Sequence, residues 1–276
     1  MSAEAVRALG VLRLDDGVGT EADDVVAAEE PLEVRVNGVP FAVIMRTPGQ
    51  DVALAAGFLL AEDVVRVPGE IATIERCDDV EAEALGNVLN VTVTGRAAER
   101  VADRLGERRQ IITTAACGLC GRRTIESIRA RVSSVGGHWT VPAAVVSSLP
   151  EALLVAQAAF ARTGGIHASA LCDLQGRVRL AAEDVGRHNA LDKIVGRALL
   201  EGLVPLDDTL LVVSGRSSYE LVQKALLAGV PLVAAVSAPS SLAVDLARES
   251  GITLCGFVRG GSMNVYTHPQ RITRLG

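Results

Sequence analysis

The sequence predicts an α/β protein, α+β when both halves of the chain are counted, and three observations carry that prediction. Hydrophobic residues make up 49% of the 276 positions, enough to bury a sizeable core in one or two domains. Two apolar runs without alternation, Leu210–Ser214 and Leu232–Ser237, read as strands covered on both faces, the mark of a parallel sheet between helices. Each run leads through a Ser-rich loop into a helical pattern: Gly215-Arg216-Ser217-Ser218 and on to Gly229, then Ala238-Pro239-Ser240-Ser241 and on to Gly251, with a third strand at Ile252–Val258. A shift of 23 positions lays Ser214, Ser217 and Ser218 on Ser237, Ser240 and Ser241.

Taken in order, the first half opens with a hairpin. Leu32–Val36 and Val39–Met45 are apolar runs joined by Asn37-Gly38, a pair that tolerates the positive φ angles of a type I′ turn. After Thr47-Pro48-Gly49, Gln50 to Val65 is an Ala- and Leu-rich helix that reads as largely buried, and Asn87–Thr94 is a strand. Arg100–Arg109 reads as a charged, solvated segment, and Ile111–Thr114 as a short strand leading to Cys117. A boundary falls in Ser133–Pro142, dividing the chain into domains 1–137 and 138–276. The second half continues with a helix over Glu151–Arg162, strands at Ala168–Cys172 and Val178–Ala182 around the Gln175-Gly176 turn, and a helix over Arg187–Glu201. Ala190, Leu191, Ile194, Val195, Ala198 and Leu199 make an apolar stripe at helical period along that last helix.

Charge and composition exclude several function classes. With 27 basic and 33 acidic residues the net charge is -6, which argues against a general nucleic-acid binder, since neutralising phosphates needs a surplus of Lys and Arg. Met1 to Gly10 carries Glu4 and Arg7 and has no apolar stretch of the kind a signal peptide needs. The longest uncharged window, Ala225–Val244, is interrupted by Gly229, Pro231 and Pro239 and reads as buried α/β structure rather than a membrane span. Five cysteines in a chain of this length without a secretory signal do not make a disulfide framework. A soluble, cytoplasmic protein is the expectation.

Four segments hold chemistry-bearing residues. Cys117-Gly118-Leu119-Cys120-Gly121 places two thiols two residues apart, followed by Arg122, Arg123 and a helical pattern over Thr124–Val132. Guanidinium groups and a helix N-terminus favour the thiolate, so a nucleophilic or redox thiol competes with a half zinc site and with an inert pair. A structural zinc site needs about four ligands, and no second close-spaced Cys or His pair is present. Cys172 and Cys255 read as small packing residues, and Cys77 stands alone. Gly164-Gly165-Ile166-His167-Ala168-Ser169 puts an imidazole at the start of a strand. A zinc deaminase would carry His-x-Glu there, with a downstream Pro-Cys-x-x-Cys. Here Ser169 replaces the Glu and the Cys-x-x-Cys lies upstream, which disfavours that chemistry.

The third segment, Glu183-Asp184-Val185-Gly186-Arg187-His188-Asn189-Ala190-Leu191-Asp192-Lys193, packs more charge into its turns than a solvated face needs, a density suited to a phosphate-bearing ligand; Asp184 alone reads equally as a helix cap. The fourth comprises the two Ser loops and Arg259-Gly260-Gly261-Ser262 after the third strand, with Arg216 and Arg259 adding positive charge. Helix N-termini and hydroxyls bind anions, and parallel strands bring such loops to one sheet edge, although each serine also reads as a plain helix cap. No GxxxxGK[ST] is present, so an NTP-hydrolysing P-loop is not supported.

Together, the CGLCG segment, Arg162–Ser169, Glu183–Lys193, Ser214–Ser218 and Phe257–Gly260 with Asn264-Val265-Tyr266 resemble the FdhD family of formate dehydrogenase accessory sulfurtransferases, in order along nearly the whole chain. The resemblance implies a small N-terminal α/β roll, a C-terminal three-layer α/β/α domain like that of cytidine deaminases, and a homodimer. It implies that Cys117 takes sulfur from a cysteine desulfurase as a persulfide, with Cys120 an auxiliary thiol. The sulfur then goes to the molybdenum or tungsten of the bis-molybdopterin guanine dinucleotide cofactor, cargo destined for formate dehydrogenase, with no resident metal in the protein itself. The family's cofactor-binding stretch maps onto Phe257, Val258, Arg259, Gly260, Gly261 and Ser262; Arg187, His188, Arg216 and Ser217 complete the expected site. Two stretches depart from the family pattern: Ala115-Ala116 stands where many relatives carry Ser, and Ser262 where a basic residue is common. The alternative class is a cofactor-binding chaperone whose Cys pair senses redox state or holds metal.

Overall fold

The computed structural model describes residues 5–77, 86–108 and 134–273. The chain opens with an antiparallel ribbon, β1 (Val6–Asp15) and β2 (Val18–Ala27), closed by Asp16 and Gly17 in the left-handed region. Only its base is covered: Val6 packs with Ala159 and Ile166, while Leu12 and Leu14 near the tip are exposed. The sequence reading assigned no strand here, because few of these residues alternate toward a core.

The Asn37-Gly38 hairpin forms as expected from β3 (Glu30–Val36) and β4 (Val39–Arg46), with φ of 51° and 80° at the two turn residues. With β5 (Ile71–Arg76) and β6 (Val88–Val93) it makes a four-stranded sheet in the order β4-β3-β6-β5. Helix α1 spans Asp51–Ala61, shorter than the Gln50–Val65 expected. Its first residue is held by the buried Arg46, whose Nε lies 3.0 Å from Asp51 Oδ1. Burial pushes the Asp51 carboxyl up, but hydrogen bonds and charge from Arg46 and Arg76 outweigh it and leave the pKa below its ordinary value. The segment read as solvated at Arg100–Arg109 falls, over its described residues, in helix α2 (Arg96–Arg108). Ala97 and Val101 bury one side of it, and Arg100 reaches Glu70 at 2.6 Å. Its high charge content hid a narrow apolar stripe.

In the second half the single helix expected at Glu151–Arg162 is two, α3 (Ala143–Val155) and α4 (Ala158–Thr163). Both carboxylate oxygens of Glu183 accept from the first N–H groups of α4, at Ala159 and Phe160, fixing its start separately from α3. Strands β8 (His167–Cys172) and β9 (Val178–Asp184), β10 (Leu210–Val213), β11 (Leu232–Ala235), β12 (Thr253–Arg259) and β13 (Ser262–Val265) form a sheet in the order β13-β12-β11-β10-β8-β9. A two-residue β7 (Val141–Pro142) pairs separately with β14 (Ile272–Thr273). The expected parallel sheet is thus mixed: β10, β11 and β12 run parallel, whereas β8 and β13 pair antiparallel with their neighbours. A tight hairpin needs far fewer residues than a crossover, and the β8–β9 and β12–β13 connections are both that short.

Three layers result. Helices α5 (Arg187–Leu200), α6 (Tyr219–Leu227) and α7 (Ser241–Ser250) contribute to the cluster on one face of the sheet, where Leu211, Val213, Val233 and Leu254 point. On the other face α3 packs against Leu210, Val212, Leu232 and Cys255. The first cluster runs continuously from Leu32 in β3 to Leu254 in β12, through the crossing of α1 with α5. Glycines make that crossing possible. A Cβ on Gly57 would stand 2.0 Å from the Asp192 carbonyl oxygen, and one on Gly196 would stand 1.9 Å from that of Ala53.

The two strand–loop–helix units superpose with a shift of 22, not 23. Leu210 pairs with Leu232, Ser217 bridges to Pro239, and Ser218 and Ser240 are the helix caps. Serine identity suggested the longer shift, but strand register and cap position set the shorter one. Because the helix crossing leaves no room for a side chain, Gly196→Ala should lose at least about 3 kcal/mol, measured by denaturant unfolding, while Ala substitution at the open Gly69 should cost far less.

Candidate functional site

The ends of β9, β10, β11 and β12 and the start of β8 meet at one edge of the sheet. His167 is the first residue of β8, and its Nδ1 lies 3.4 Å from Ser214 Oγ, which accepts a 2.9 Å hydrogen bond from the Ala168 N–H. Gly215 lies against both side chains: a Cβ there would sit in ordinary contact with His167 Nδ1 and Arg187 Cδ, each at 3.5 Å. Burial, then the Arg187 charge and the neighbouring His188, depress the pKa of His167, so the ring is neutral near pH 7.

His188, one residue further along α5, reaches α6. Its Nε2 is 3.1 Å from Ser218 Oγ and its Nδ1 is 2.9 Å from Glu220 Oε2. Ser218 and Ser240 cap α6 and α7, accepting from Leu221 N and Ala243 N, so the plain capping role holds for both. The two Ser loops also bond to each other, Ser217 N to Ala238 O and Ser240 N to Ser217 O, and these two N–H groups are spent in that way. Arg216 is exposed beside them. Among the described residues, the buried atoms Arg187 Nε, Ser217 Oγ and Ser169 Oγ near this edge have no hydrogen-bond partner. Such atoms carry a desolvation cost that a hydrogen bond would otherwise offset.

The third loop is built differently. Phe257 has φ 53°, a conformation that a bulky side chain adopts at a cost on the order of 1–3 kcal/mol, and its side chain is exposed. Its N–H donates to Ser237 O, tying β12 to the loop after β11. Gly260 and Gly261, both with positive φ, turn the chain into β13, where Ser262 pairs with Arg259. An open cavity of about 630 Å³ is lined by Phe257, Arg259, Gly261, Ser262, Met263 and Asn264. Val258 faces the core instead, fully buried beneath the loop.

Much of the Glu183–Lys193 charge is spent on architecture rather than facing a ligand. Asp184, fully buried, does not cap α5; Gly186 occupies that position. Its carboxylate accepts from Thr47 N, Gly186 N and Asn189 Nδ2 and pairs with Lys193 Nζ at 2.8 Å. Asp192 pairs with Lys224 at 2.6 Å inside the molecule. Burial pushes Asp192 up to about 6 despite Lys224. Burial alone would lower the Lys224 pKa, but Asp192 and Glu220 hold it above its ordinary value.

Burial likewise raises the thiols of Cys172 and Cys255 to about 12, which makes them unreactive packing residues. Cys117, Cys120, Arg122 and Arg123 lie outside the described residues. Among the described residues no cluster of His, Cys, Asp or Glu could hold a metal ion, and no helix is long and apolar enough to cross a membrane. The sequence reading included Ser169 in its second candidate segment but did not single out Glu220. Glu220 sits in an ordinary helical first turn and comes to His188 only when α6 packs beside α5.

A mixed sheet under helices, with Arg, His and Ser side chains gathered at one edge, defines the class, and comparison with known proteins gives the family. The FdhD/NarQ family model matches residues 27–273, and the chain belongs to that family. A Streptomyces avermitilis protein named sulfur carrier protein FdhD is 48% identical over 270 residues, covering 95% of this chain and 94% of the relative. A Mycobacterium tuberculosis protein of the same name is 48% identical over 257 residues, covering 91% and 92% of the two chains. The crystal structure of a formate dehydrogenase accessory protein from Desulfotalea psychrophila shares the fold, with a TM-score of 0.77 at 24% identity over 98% of this chain and 100% of that one.

The neutral His167 makes stability depend on pH. Below 6.5 the unfolded chain takes up a proton at this ring that the folded chain refuses until its lower pKa is reached, so stability falls as pH drops through that interval. His167→Gln should therefore lose less stability than the unaltered protein between pH 7.5 and about 5.5. Equal losses in urea titrations at the two pH values would remove His167 as a contributor.

Proposed function

We propose that this protein is a sulfur carrier that accepts sulfur as a persulfide on Cys117 and passes it to the bis-guanine-dinucleotide molybdenum cofactor destined for formate dehydrogenase. The observation that carries the reading is the gathering of Arg187, His188, Arg216, Ser217 and the Phe257–Ser262 loop along one sheet edge, in a chain whose relatives are named sulfur carrier proteins. The cargo holds guanine rings and pyrophosphates. The exposed Phe257 ring offers a stacking face for a base, and Arg259 and Arg187 offer guanidinium groups to phosphate.

On the sulfur side, the Cys117 thiolate attacks the outer sulfur of a cysteine desulfurase persulfide. A Cys117–S–S⁻ group forms and the desulfurase cysteine leaves as a thiolate, with Cys120 the second thiol of the pair. Thiolate attack is favoured where cations lower the thiol pKa, and Arg122 and Arg123 follow the pair in sequence. The desulfurase and formate dehydrogenase are the partners this reading requires.

Incubation with a cysteine desulfurase and cysteine should add one sulfur to Cys117, read by mass spectrometry of the intact protein and its peptides, and Cys117→Ala should abolish it. An unchanged mass alongside intact cofactor binding would instead favour a chaperone. Arg259→Ala should weaken binding of GDP, used as a probe for half the cargo, by roughly tenfold or more, in line with loss of a charge-assisted hydrogen bond, without reducing sulfur loading. Equal GDP affinity in both proteins would take Arg259 out of the site.

A further inference from the structure

Asn264 lines the open cavity together with Phe257 and Arg259, outside the Phe257–Ser262 stretch that the family resemblance assigns to the cofactor. It lies on β13 opposite Gly256 in β12, so the residue facing it across the ladder has no side chain to cover it. Residues directly opposite on an antiparallel pair share a face. A Cβ on Gly256 would meet Pro239 Cδ at 3.0 Å and Tyr266 Cε2 at 3.1 Å, which puts Asn264 on the face that carries the loop before α7. Asn264 is exposed, and its carboxamide bonds to no other described residue. One acceptor oxygen and two N–H donors are thus open to a ligand.

The neighbouring strand is shaped to present an aromatic ring. Between the Gly256–Asn264 and Arg259–Ser262 pairs, β12 has two residues, Phe257 and Val258, where β13 has only Met263. The extra residue makes a β-bulge, whose left-handed position glycine ordinarily fills. Here Phe257 occupies it, at φ 53°. Val258 is fully buried, whereas the Phe257 ring joins neither core cluster. A strained ring outside the core points to a ligand in the cavity that it lines.

We infer, building on the cofactor reading above, that Asn264 holds the hydrogen-bonding edge of a purine base whose flat face lies on the Phe257 ring. Guanine presents its O6 acceptor beside its N1–H donor, and Asn264 matches that pair with Nδ2–H and Oδ1. Turned over, the same carboxamide fits adenine, so it grips a base without choosing between the purines. Arg259, the charged side chain of the cavity, is left for phosphate. The cavity volume of about 630 Å³ falls within the range of small-molecule sites, about 300–1,000 Å³.

GDP and inorganic pyrophosphate, titrated in parallel and followed by NMR, separate base from phosphate. Asn264→Leu, which keeps the size and removes the carboxamide, should weaken GDP binding about three- to tenfold, the usual worth of a neutral hydrogen bond, and leave pyrophosphate binding unchanged. In the unaltered protein the Asn264 side-chain amide resonance should shift with GDP and not with pyrophosphate. Equal GDP affinity in the two proteins would overturn the inference and leave the cofactor reading standing. So would an equal loss of pyrophosphate affinity in the variant, or an Asn264 amide that GDP does not move. Absence of GDP binding by the unaltered protein would remove the inference and the cofactor reading together.

Discussion

The carboxylate of Asp184 sits fully buried where three parts of the chain meet, and the candidate site depends on how it is satisfied. It closes the end of β9 by accepting from Gly186, holds Asn189 on the first turn of α5, and takes the backbone N–H of Thr47 from the loop between β4 and α1. Lys193 neutralises it and donates to the Thr47 and Glu183 carbonyls. An unpaired charge in such a place costs about 3–5 kcal/mol, so sheet end, helix start and loop are positioned together. Arg187 and His188 lie between Asp184 and Lys193 along the chain. Their presentation at the sheet edge follows from how the flanking residues are tied down.

The packing beneath that edge works in the same direction. The glycine crossing of α1 and α5 lets the two helix backbones touch, bringing the first half of the chain against the layer that carries the site. Lys224 and Asp192 then join α6 to α5, so Ser218 and Glu220 on one helix meet His188 on the other. Among the described residues, Arg187 Nε, Ser217 Oγ and Ser169 Oγ are buried near this edge without a hydrogen bond.

Legibility in the sequence followed the strength of the local signal. The Asn37-Gly38 hairpin, the apolar runs of β10, β11 and β12, and the α5 stripe were plain because turn chemistry and burial on both faces leave marks on neighbouring residues. The β1–β2 ribbon was not legible, since only its base meets a core. Helix α2 was masked by its charge, and the break between α3 and α4 is imposed by Glu183 from a distant strand. The candidate loops were visible as Ser- and Gly-rich punctuation. Which of their groups remain unpartnered depended on contacts such as Ser217 N to Ala238 O, which join segments far apart in sequence.

By itself the sequence determined the family resemblance, the repeated strand–loop–helix units and the choice of Arg187, His188, Arg216 and the Phe257–Ser262 loop as site candidates, because those motifs are local and dense. Only the tertiary structure decided that the sheet is mixed, that the repeat spacing is 22, that Asp184 and Lys193 are architectural, and that His188 is flanked by Ser218 and Glu220. These last points turn on which groups come within 3 Å or so of one another across elements, and that is a consequence of packing rather than of spacing along the chain.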